Sequence, residues 1–62
     1  MDLREARFKS RVTQWALFKM TGVHSSKISL IENGFVEPKE REKEALSNAL
    51  GFKANEIDWP KE

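Results

Sequence analysis

Residues 12–34 read VTQWALFKMTGVHSSKISLIENG, two short helical patterns joined through Thr21-Gly22-Val23. Thr13 stands where a hydroxyl caps a helix running to about Met20, and Leu17, Phe18, Met20 and Thr21 line one side of that helix. Gly22 follows where the chain must turn away, a place at which glycine enters the left-handed region without steric cost. The next helix is expected over residues 25–32, stopped by Asn33-Gly34. At about 100° per residue, Ile28, Ile31 and Glu32 share one arc of it, while Ser25, Ser26, Ser29, Leu30 and Asn33 share another. One face packs and the other looks out.

On either side the same reasoning adds further helices. Leu3, Ala6 and Arg7 at i, i+3, i+4 spacing predict a first helix over about 2–10, with Asp2 placed to cap it and meet the positive end of its dipole. Residues 40–50 are charged early and apolar late, with Leu46, Ala49 and Leu50 as the buried stripe and Gly51 as the stop. Residues 54–58 add a short fifth helix that returns Ile57 and Trp59 to the core. Repeats, low-complexity segments and strand-like alternation are absent, so the expected class is all-α, a single domain over 1–62 with four to five helices.

Sixty-two residues support only a small core, and an elaborate catalytic cleft is not expected. With no cysteine and a single histidine, neither a disulfide, a zinc site nor any other metal or cofactor is expected. No apolar run approaches the roughly 18 to 20 residues of a membrane span, and MDLREARFK lacks the apolar stretch of a secretory signal. The expected compartment is therefore the cytosol of a cell, a bacterium or the host of its phage. Net charge is only +1, but it is unevenly spread: residues 1–31 carry six cations against two anions, and the remainder carries five against eight. The basic half holds the paired helices, which suits an anionic polymer as partner.

These residues resemble the XRE-type helix-turn-helix family, the DNA-binding domains of lambdoid-phage repressors and Cro proteins. The resemblance is carried in order and spacing by LREAR (3–7), VTQ (12–14), TGV (21–23), ISLIENG (28–34) and ALG (49–51), nearly the whole chain. It implies a compact lambda-repressor-like fold of four to five helices, with the helix-turn-helix over about 13–33. It further implies a sequence-specific regulator of transcription, a repressor, which inserts the helix Ser25–Glu32 into the major groove of double-stranded DNA. The expected assembly is a homodimer on a pseudo-palindromic operator. A further C-terminal oligomerisation region is common in the family, so a third reading is that the chain is an excised or engineered domain.

Residue by residue, the resemblance places Gln14 on a phosphate while it braces the recognition helix, with Asn33 and Lys39 as further phosphate contacts. Base edges would be met by Ser25, Ser26, Ser29 and Leu30, the last against a thymine methyl. Lys27, at the edge of that arc, suits a backbone phosphate. Arg7 and Glu32 match a partly buried ion pair that ties the first helix to the third, a structural role.

The chain also departs from the family. Short serines replace longer amide or guanidinium side chains, so shape and water-mediated readout must contribute. His24 stands where Ser or Thr normally caps, which would move the cap to Ser25 and leave His24 as a solvent-facing turn residue. Phe18 stands where alanine is usual, so the core must make room. Trp15 is read as half-covered, Met20 and Trp59 as core, and Glu40–Glu44 as a solvated face. The serines lack a base with an orienting third group, so no enzyme is expected. The other reading is a protein-interaction module of antitoxin, sigma-factor or coactivator type, using Trp15, Leu30 and Phe35.

Overall fold

The computed structural model describes residues 1–61. Its elements are α1 (Leu3–Lys9), α2 (Gln14–Thr21), α3 (Ser25–Glu32), α4 (Glu40–Leu50) and a 3-10 turn, Ala54–Glu56. The all-α expectation holds, and the fifth helix is shortened to that single turn.

Local chemistry sets each boundary. Asp2 accepts the Glu5 N–H at 2.8 Å while Glu5 Oε1 accepts the Asp2 N–H at 3.4 Å, a reciprocal cap on α1. Thr13 Oγ1 accepts the Ala16 N–H at 3.0 Å and starts α2, as read from the sequence. At its other end Gly22 sits at φ +78°, and Thr21 Oγ1 both donates to Leu17 O at 2.7 Å and accepts the Val23 N–H at 3.1 Å. That hydroxyl fixes the turn that aims α3. On α4, Glu42 Oε1 accepts the Lys39 N–H at 2.8 Å.

The core is Leu3, Ala6, Leu17, Val23, Ile28, Ile31, Leu46, Leu50 and Ile57, one contiguous cluster to which each helix contributes. Burying such aliphatic side chains stabilises by about 1.5–3 kcal/mol each. Polar ties lock its edges: Ser10 Oγ donates to Leu50 O at 2.7 Å, joining the ends of α1 and α4, and the Asp58 N–H donates to Met1 O at 2.7 Å. Trp59 packs on the core and donates its indole N–H to Ala54 O at 2.9 Å, in line with its expected place.

Four expectations need correction. Met20 is 56% exposed rather than core, because the packed arc of α2 runs through Leu17, Thr21, Gln14 and Phe18, and Met20 falls off its edge. Trp15, 60% exposed, lies almost opposite Leu17 on the same helix and is not half-covered by α1. The cap of α3 does not move to Ser25: His24 itself is the N-cap, its Nδ1 accepting the Ser26 N–H. Phe18 needs little room in the core, since it lies half-buried between the Trp15 edge at 5.3 Å and the His24 ring at 4.7 Å.

Candidate nucleic-acid interface

Helix α3 buries Ile28 and Ile31 and turns its opposite face to solvent. That face centres on Ser26, Leu30 and Asn33, all exposed, with Ser25 and Ser29 partly covered at its flank. Leu30 is 44% exposed, an apolar spot on an otherwise hydroxyl-rich ridge. The five residues expected on the outer arc are thus gathered on one side, with Ser26 and Leu30 at its crest.

Beneath the C-terminal end of that ridge lies a polar cluster around Glu32, whose side chain is fully buried. Arg7 grips both its oxygens, Nε to Oε2 at 2.7 Å and Nη2 to Oε1 at 3.2 Å, and spends Nη1 on Val12 O at 3.1 Å. Gln14 Nε2 donates to Oε1 at 3.0 Å, and Arg4 Nε reaches the same oxygen at 3.4 Å. Burial pushes the Glu32 carboxyl up, but the hydrogen bonds from Arg7 and Gln14, the Arg7 charge and the Arg4 contact outweigh it. The net direction is downward from the ordinary glutamate range. Glu32 therefore stays ionised and ties α1, α2 and α3 into one unit.

The four residues expected on phosphates are placed unequally. Gln14 turns its amide inward to Glu32, the bracing half of its expected role. Asn33 is engaged on both sides of its amide, Nδ2 donating to Ser29 O at 2.8 Å and Oδ1 accepting from Arg4 Nη2 at 3.2 Å. Lys27 Nζ pairs with Glu42 Oε2 at 2.8 Å, which ties α3 to α4. The hydrogen bonds from Lys27 and from the Lys39 backbone hold the Glu42 carboxyl below its usual range. Lys39 is exposed and, although its charge also helps to lower Glu42, its ammonium makes no hydrogen bond or close ion pair among the described residues. It shares that condition with Lys9, Arg11 and Arg41, which the sequence reading did not single out.

Two participants escaped that reading although their signals were present. Arg4 stands three residues before Arg7, so both share one side of α1 and both reach Glu32. Glu42 follows Lys39 by three residues, the spacing of a capping box, and so is fixed where Lys27 can meet it.

Neither a search of curated proteins nor one of solved structures returns a match. A family model described as a helix-turn-helix domain matches residues 2–59, which span all four helices and the 3-10 turn, in agreement with the resemblance carried by the sequence motifs. With α2 and α3 packed across the Thr21–Val23 turn and one face of α3 left open, the chain belongs to the helix-turn-helix domain family of DNA-binding regulators.

Proposed function

We propose that this chain is a sequence-specific regulator of transcription, a repressor, that inserts α3 into the major groove as a homodimer on a pseudo-palindromic operator. The observation that carries the reading is the outward ridge of α3, hydroxyls with one leucine, standing clear of a core that holds its other face. Ser25, Ser26, Ser29 and Leu30 meet base edges in this reading, and Lys39 meets a phosphate, with Lys27, Asn33 and Gln14 adding contacts from groups already braced. Two copies would place their α3 helices in groove segments about 10 bp apart.

Selection from a random duplex library, followed by gel shifts in rising salt, tests this. A palindromic enriched site, with affinity falling steeply as salt rises, is the expected result. Enrichment of no sequence, or affinity indifferent to salt, would refute it.

The role is non-enzymatic. His24 and Ser26 do approach at 2.8 Å, but no carboxylate contacts the imidazole among the described residues, so the arrangement lacks the orienter a nucleophilic serine requires. Among the described residues no helix is long and apolar enough to cross a membrane, and we place the regulator in the cytoplasm at the nucleoid.

A second reading draws support from the exposure of large apolar side chains, Phe8, Trp15, Met20, Leu30 and Phe35. A protein partner such as an antitoxin's toxin or a sigma factor would cover them. Titrating Trp15 fluorescence separately with duplex and with candidate proteins distinguishes the two.

A further inference from the structure

The hydrogen bonds at the start of α3 fix the direction of one hydroxyl on the open ridge. The Ser26 N–H donates to His24 Nδ1 at 3.1 Å, and Ser26 Oγ lies 2.8 Å from the same nitrogen. A backbone amide can only donate, so Nδ1 is the acceptor and the neutral ring carries its proton on Nε2. With no proton on Nδ1, the short contact to Ser26 Oγ must be made by the hydroxyl's own proton. The lone pairs of Oγ are then what Ser26 presents outward. The ring is kept in place by Phe18 from α2, 4.7 Å away and tilted 40°.

We propose that His24 is a specificity-setting positioning residue: by accepting the hydrogen bond of the Ser26 hydroxyl it leaves Ser26 as an acceptor toward the base edges. A serine is ordinarily ambiguous in the groove, able to donate or accept. Held this way, it selects a base that donates, adenine through N6 or cytosine through N4, over the acceptor edges of guanine and thymine. This rests on the placement of α3 in the major groove proposed above and deepens it.

The test has one arm without DNA and one with it. In the free protein at pH 8, nitrogen NMR of the imidazole should find Nδ1 bare and Nε2 protonated; a proton on Nδ1 would overturn the proposal outright. In the second arm, random duplexes are selected with the natural chain, His24→Asn, His24→Ala and Ser26→Ala, with circular dichroism checking each fold. Asparagine Oδ1 stands where Nδ1 stood and accepts both hydrogen bonds, so His24→Asn should keep a position enriched for adenine or cytosine. Roughly a 3- to 10-fold preference is expected of one such hydrogen bond. His24→Ala should admit guanine or thymine there, and Ser26→Ala should lose the preference.

If His24→Ala does not fold, the contrast between His24→Asn and Ser26→Ala decides. Identical selections by the natural chain and Ser26→Ala would overturn the role of His24 while leaving DNA binding intact. Enrichment of no duplex by the natural chain would instead remove the groove reading, and the proposal with it.

Discussion

Arg7 and Glu32, 25 residues apart in sequence, form a two-point ion pair in which the carboxylate is fully buried and the guanidinium nearly so. Both oxygens of that carboxylate are matched, Oε2 by Arg7 of α1 and Oε1 by Arg7 and Arg4 of α1 and Gln14 of α2, and no buried side-chain polar atom is left without a partner among the described residues. The pair therefore acts as the joint between α1, α2 and α3 rather than as a surface decoration.

Removing one side of the joint should be severe. Arg7→Met leaves the buried carboxylate with only the Gln14 amide and the longer Arg4 contact, both on one oxygen, and is expected to cost about 3 to 5 kcal/mol, most of the stability of a domain this small. Urea unfolding followed by circular dichroism measures it. A loss under about 1 kcal/mol would mean that the pair contributes no more than an exposed one.

Acid should loosen the same joint. The folded-state Glu32 carboxyl lies below its unfolded value, so the protein binds fewer protons than the unfolded chain and is stabilised above the ordinary glutamate range. That contribution fades as pH falls through the ordinary value toward the lowered one, and Glu42 acts in the same direction. Urea midpoints between pH 7 and pH 3 should drop, and Glu32→Gln should flatten the dependence. An unchanged slope in that variant would assign the acid sensitivity elsewhere.

Arg11 should be replaceable with profit. It ends α1 at φ +57°, with its N–H bonded to Phe8 O at 3.0 Å and the Val12 N–H to Arg7 O at 3.1 Å. This is the motif in which glycine is favoured, and a non-glycine residue there is strained by about 1–2 kcal/mol. Part of that gain is offset by the freer unfolded chain, so Arg11→Gly should stabilise by roughly 0.5–1 kcal/mol in thermal melts. Gly34→Ala, at φ +80° in the same motif on α3, should destabilise instead.

On duplex DNA, Lys39→Ala should weaken all sites alike and lower the salt slope by about one, since its ammonium is exposed and held by no hydrogen bond or close ion pair. Lys27→Ala should be harder to interpret through DNA alone, because it also breaks the 2.8 Å contact with Glu42 and should lower the melting temperature. Ser29→Ala should alter sequence preference more than affinity. Gel shifts across salt concentrations, with melts alongside, separate the three.

The helices themselves were legible in the sequence. Asp2, Thr13, Gly22, Gly34 and Gly51 all sit at the boundaries expected of them, because capping and left-handed exits are settled within one turn of chain. The Arg7–Glu32 pair was legible only through family resemblance, and periodicity alone went no further than turning Glu32 inward. Trp15 and Met20 were misplaced because an apolar side chain on an eight-residue helix does not reveal which arc its neighbours will cover.

The order of residues thus determined where each helix starts, where it stops, and that α3 carries hydroxyls opposite its isoleucines, all consequences of interactions spanning three or four positions. Packing alone decided which polar groups on that scaffold remain available. Gln14, Asn33 and Lys27 are drawn into bonds with partners brought close only when α1, α2, α3 and α4 meet, and Lys39 is not. The reason is physical: a side chain's partner is set by three-dimensional proximity and burial, neither of which exists until the core has formed.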